Sequence, residues 1–135
     1  MVSRSRPVFR EARGERPQPG GLMIEISSRK RKGIAILDLK GNLTSGGGEV
    51  AFAEAVERTL DAGSKDLLVN LREITLIDST GVGRLLAARA TVTNRGGRMK
   101  LLHLPRVVHD VLQITQILSF FDVQDDEEAA LVSFE

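Results

Sequence analysis

The chain has 135 residues, 41% of them hydrophobic and 27% charged, with a formal net charge of +1. That is enough for one globular domain and too little for two ordinary ones. It contains no Cys, Trp or Tyr and only five Phe, which excludes disulfides, thiol nucleophiles and thiolate metal sites and leaves few aromatic platforms for stacking on bases.

No apolar run approaches the ~20 residues that span a bilayer, and the start lacks an apolar signal core, so the cytoplasm is the expected location. The charge is unevenly placed. Residues 1–22 carry five Arg and two Glu among three Pro and three Gly, while the remainder is net acidic. A segment of that composition buries almost nothing, so residues 1–22 are expected to be a disordered basic extension ahead of a single domain over 23–135.

Met23 to Ser27 alternates apolar and polar residues as a strand does. Arg29-Lys30-Arg31-Lys32-Gly33 reads as a solvated, charged hairpin turn, and Ile34 to Leu39 as the next strand, ended by Gly41-Asn42. Leu43-Thr44-Ser45-Gly46-Gly47-Gly48 reads as a pliable loop. No Gly-Lys-Ser/Thr follows its glycines, so it lacks the signature of a phosphate-binding loop. Glu49 to Ala62 is an amphipathic helix stopped by Gly63. Asp66 to Leu71 has the continuous apolar centre of a strand covered on both faces.

Next comes Ile77-Asp78-Ser79-Thr80-Gly81-Val82-Gly83, where an apolar strand turns into a helix expected over about Thr80 to Thr93. Arg98 to Leu104 is a further strand, and Pro105 starts a helix whose buried side uses Val108, Val111, Leu112, Thr115 and Ile117. A short strand follows near Phe120 to Val123. The run Asp125-Asp126-Glu127-Glu128 opens a last helix, where acidic side chains suit the helix dipole. Strands reached through helices favour parallel pairing with right-handed crossovers. The expected fold is therefore a single α/β domain with a mixed sheet of four to five strands and helices packed against it.

The strongest chemistry lies at Asp78-Ser79-Thr80. Each of these residue types caps helices, and helix punctuation alone accounts for any one of them. A nucleophile elbow needs G-x-S-x-G, but position 77 is Ile, so a serine hydrolase is not expected. A phosphate on Ser79 would instead place about −1.5 to −2 charges at a helix start. The first-turn N–H groups and the dipole would tolerate it there. A partner built for a neutral hydroxyl would be repelled.

Four stretches together resemble the STAS-domain anti-sigma factor antagonists of bacteria. They are Leu37 to Leu43, which is similar to the family's L-x-G-x-L/I entry; Leu67 to Leu71; Ile77 to Gly83, which matches D-S-S/T-G-L/I/V-G; and Gly96 to Leu101 with Val108 to Phe121. The resemblance implies a STAS-like fold over residues 23–135. It also implies a non-enzymatic binding protein without catalytic residues, cofactor or metal. Its partner would be an anti-sigma factor that is also a serine kinase. The unphosphorylated form would bind that kinase and free the sigma factor. Phosphorylation of Ser79 would end the binding, and a serine phosphatase would restore it. Asp78, Ser79, Thr80, Gly81 and Thr44 would form the partner-binding surface. Thr44 stands where many members carry Asp. The alternative within the same resemblance is a STAS docking subunit of a stress-sensing assembly or of a lipid-transport ABC system.

Overall fold

The computed structural model describes Val8–Arg10 and residues 24–135. The strands are β1 (Val8–Arg10), β2 (Ile24–Arg31), β3 (Ile34–Leu43), β4 (Leu67–Ile77), β5 (Met99–Leu102) and β6 (Asp122–Gln124). The helices are α1 (Gly48–Asp61), α2 (Ser79–Asn94), α3 (Arg106–Ile114) and α4 (Glu127–Ser133), with a 3-10 turn at Leu118–Phe120. The strands lie side by side in chain order. Pairing is antiparallel from β1 to β3 and parallel from β3 to β6. The domain body thus has the expected mixed sheet, five strands from β2 to β6, and β1 adds an edge strand. The reading of 1–22 as disordered falls on residues outside those described, except Val8–Arg10. Among the described residues no helix is long and apolar enough to cross a membrane.

Strand alternation splits the core in two. Ala35, Leu37 and Leu39 of β3 and Leu67, Val69 and Leu71 of β4 face the main core with Phe52 and Val56 of α1, Leu85 and Val92 of α2, and Val108 and Leu112 of α3. Ile34, Ile36, Leu68 and Leu102 point the other way, against Ala130, Leu131 and Phe134. Crossovers of one hand stack α1 to α3 on one face, and α4 covers part of the other. This double cover is why Leu67-Leu68-Val69, at the start of β4, reads as a continuous apolar run.

The charged turn expected at Arg29 to Gly33 is corrected. β2 runs through Arg31, and the turn is only Lys32-Gly33, both at positive φ (53° and 80°), as a two-residue hairpin of this twist requires. Arg29 and Arg31 are two apart and so share a strand face. Arg29 donates to Asp38 at 2.6 Å and to Glu127 at 2.7 Å; Arg31 donates to Glu127 and Glu128, both at 2.7 Å. The basic run and the acidic run at the start of α4 are partners that pin that short helix across the sheet. Asp126 caps the helix by accepting from the Ala129 N–H at 2.9 Å.

Hydrogen bonds from Arg29, opposed by partial burial and reinforced by Arg31, hold the Glu127 carboxyl at about 2, against an ordinary 4.5. A depressed carboxylate lends stability that is complete above its unfolded value and is lost as pH falls through the folded one. Glu127→Gln is therefore expected to cost about 1–3 kcal/mol near neutral pH in urea denaturation. The deficit should shrink between about pH 4.5 and about pH 2. A pH-independent deficit would show that the pairing contributes nothing through its charge.

Candidate functional site

β3 and β4 run parallel with Leu43 opposite Ile77, so both strands deliver their next residues to the same end of the sheet. Beyond Leu43 comes the loop Thr44 to Gly47, and beyond Ile77 comes Asp78. The side chain of Asp78 bridges the two. Its Oδ1 accepts from the Gly81 N–H at 2.9 Å and caps α2. Its Oδ2 accepts from the Ser45 N–H at 2.9 Å and from the Ser45 hydroxyl at 3.0 Å. Partial burial pushes the Asp78 carboxyl up. Donors from the Ser45 N–H, the Gly81 N–H, the Ser45 hydroxyl and the Thr80 N–H outweigh it and hold the group below the usual carboxylate range. Asp78 is thus ionised at neutral pH and is a poor proton acceptor.

Two close approaches lock the same end. A β-carbon on Gly81 would stand 2.0 Å from the Leu43 carbonyl oxygen, and one on Gly48 2.2 Å from the Asn42 carbonyl oxygen. Only glycine lets α1 and α2 start this near the end of β3. The loop expected to be pliable is ordered by the same economy. Gly46 and Gly47 take φ of 105° and 138°. The Glu49 N–H donates to the Thr44 carbonyl at 3.1 Å, and the Gly47 N–H to Glu49 Oε1 at 3.1 Å.

Ser79 is the first residue of α2 and is exposed, as is Thr80, while Gly81 is buried. The structure therefore brings Asp78, Ser79, Thr80 and Gly81 together at one helix start, with Thr44 beside the loop residue that Asp78 grips. Thr44 Oγ1 is buried and makes no hydrogen bond. The expectation of open first-turn N–H groups is modified, because Asp78 already engages those of Thr80 and Gly81. Ser45 is the residue that sequence reasoning missed. Its role follows only from the β3–β4 register, and a Ser between Thr and three Gly carries no local signal of it.

The STAS domain family model matches residues 25–130, and the chain belongs to that family. An anti-sigma F factor antagonist of Paenibacillus polymyxa is 24% identical over 115 residues, which span 83% of this chain and 96% of that protein. Among solved structures, an anti-sigma factor antagonist from Mycobacterium paratuberculosis is similar with a TM-score of 0.74 at 14% identity, covering 88% of this chain and 98% of the other. The Bacillus cell fate determinant SpoIIAA in its phosphorylated form gives 0.64 at 18% identity, covering 82% and 99%. At such identities the structural likeness establishes the fold.

Asp78→Asn separates the two tasks of the carboxylate. Asn caps helices as well as Asp does. Its amide group, however, presents donors where Ser45 also donates. The variant should keep Gly81 amide protection in hydrogen exchange and lose protection at Ser45, at a stability cost of about 1 kcal/mol. Unchanged Ser45 exchange would show that Asp78 does not hold the loop.

Proposed function

We propose that this chain is an anti-sigma factor antagonist switched by phosphorylation of Ser79. The observation that carries the reading is the exposed Ser79 hydroxyl next to a carboxylate that is already fully engaged. Membership of the STAS family and relatives named as anti-sigma factor antagonists support the same assignment. The partner is an anti-sigma factor that is also a serine kinase, and the setting is the cytoplasm.

In this reading the chain is a substrate and a ligand, and the partner supplies the catalysis. The Ser79 oxygen forms a bond to the γ-phosphorus of the partner's ATP, the bond from that phosphorus to the bridging oxygen breaks, and ADP leaves. The hydroxyl proton goes to a base of the kinase, since Asp78 is held too acidic to take it. The new phosphate lies beside the Asp78 carboxylate, which has taken two of the nearest N–H groups. Gly83, one turn further along α2, offers no cation. The added charge faces the partner. A surface that fitted a neutral hydroxyl now pays like-charge repulsion and desolvation, worth several kcal/mol at a close contact. Phosphorylation ends binding without unfolding α2. A serine phosphatase resets the chain by hydrolysing the ester.

The test is incubation with ATP, Mg²⁺ and each purified candidate anti-sigma kinase of the same organism, followed by mass spectrometry of the peptide containing Ser79. Phosphate on Ser79 is expected, and none on Ser79→Ala. The Ser79→Ala variant should bind the kinase like wild type and Ser79→Asp at least about tenfold more weakly. Absence of Ser79 phosphate with every candidate, or equal affinity of the two variants, refutes the switch.

A further inference from the structure

The outer edge of the sheet is closed by a segment that lies outside the family match. That match begins at residue 25, and β1 (Val8–Arg10) stands ahead of it. β1 pairs antiparallel with β2, setting Val8 against Ser27, Phe9 against Ile26 and Arg10 against Glu25. Without it β2 would be the last strand, because β3 takes its other side over all eight residues. An edge strand presents a row of unpaired N–H and C=O groups that a further strand can join.

The two halves of β2 meet that hazard differently. Arg29-Lys30-Arg31 guards its own half. Two copies pairing antiparallel there would set Lys30 against Lys30 and Arg29 against Arg31, and like charges directly opposite repel. Ile24-Glu25-Ile26-Ser27 has no Lys, Arg or Pro to do the same. Two copies paired antiparallel about Ile26 would set Ile26 against Ile26, Glu25 against Ser27 and Ile24 against Ser28, with no like-charge pair. β1 stands on this unguarded half. Among the described residues, no strand pairs with the outer side of Ser28 to Arg31.

The cover is held by little. It makes three residue pairs, and so short a strand pairing adds only marginal stability. Residues 11–23, with three Gly and two Pro, separate β1 from β2, where a tight hairpin uses two to five residues. We infer that β1 is a detachable cover, and that the edge beneath it, Ile24 to Ser27, is a pairing surface for a second copy of this chain. With Val8–Arg10 in place the chain is a monomer. When that segment is removed or drawn away, two β2 edges join antiparallel about Ile26 and the two sheets become one. The occupant is a second copy because the Ile26 register is self-complementary, as a twofold contact must be. Ser79 takes no part in it.

The experiment is sedimentation velocity, with thermal melting, on three proteins: the full chain, a chain starting at Met23, and the full chain carrying both Val8→Pro and Phe9→Pro. Successive N–H groups of a strand point to opposite sides, so the double variant removes whichever of the two faces β2. The full chain should be a monomer, and both uncovered proteins should dimerise as concentration rises. In the chain starting at Met23, Ser27→Glu would oppose Glu25 of the second copy at two symmetric places and should weaken the dimer by about fivefold or more. Ser27→Lys should hold or tighten it, and either substitution in the full chain should leave a monomer. A full chain that is already dimeric overturns the cover. Uncovered proteins that melt cooperatively yet stay monomeric up to about 1 mM overturn the pairing surface. Loss of cooperative melting in both overturns the claim that β1 is detachable. A dimer weakened by Ser27→Lys and not by Ser27→Glu overturns the pairing about Ile26.

Discussion

The Asp78 carboxylate divides its two oxygens between two elements. One starts α2 by taking the Gly81 N–H, and the other takes both donors of Ser45 from the loop that ends β3. The helix start and the neighbouring loop are therefore one structure. This arrangement needs a charged acceptor, because three of its partners are donors from fixed backbone positions and the fourth is a hydroxyl. It also needs the parallel register that sets Leu43 against Ile77. The exposed Ser79 is a by-product of both: with Asp78 as cap, the next residue must be the first of the helix, and its side chain has only solvent to face.

The two ends of the sheet have separate electrostatic organisation. At the Ser79 end the Asp78 and Glu49 carboxylates accept from neutral donors. At the hairpin end, Arg29 and Arg31 interlock with Asp38, Glu127 and Glu128. The second cluster is structural. It holds a seven-residue helix that buries only Ala130 and Leu131 within its own span and would otherwise have little to fix its direction. Partly buried bidentate arginine pairs give that direction as well as energy. Five charged side chains thus join α4 to β2 and β3.

What could be read from sequence was what depends on neighbours in the chain. Helix α1 was legible from periodicity and its glycine stop, α2 from the capping residue types at its start, and the double cover of β4 from the apolar run at its beginning. The position of Ser79 at a helix start was legible because strand, cap and helix follow one another within ten residues. The misreadings have a common cause. Four consecutive basic residues hide a period of two, so the strand face shared by Arg29 and Arg31 could not be seen without their distant acidic partners. Ser45 is bound to a residue 33 positions away through strand register alone. The three glycines after it suggested mobility, whereas Gly46 and Gly47 supply turns and Gly48 supplies clearance. Lys100 looked like an ordinary strand residue, yet it is buried, donating to Ser133 on α4 and pairing with Asp122.

The fixed loop also has a thermodynamic meaning. Ordering a free glycine-rich segment on association costs conformational entropy, and that cost weakens binding in every state of the partner alike. Here the cost has been met during folding, through Ser45, Glu49 and the tight seat of Gly48. A protein that lands on this end encounters a prearranged shape. In the switch proposed above, the difference in affinity between free and phosphorylated Ser79 would then be undiluted by any disorder shared between the two states.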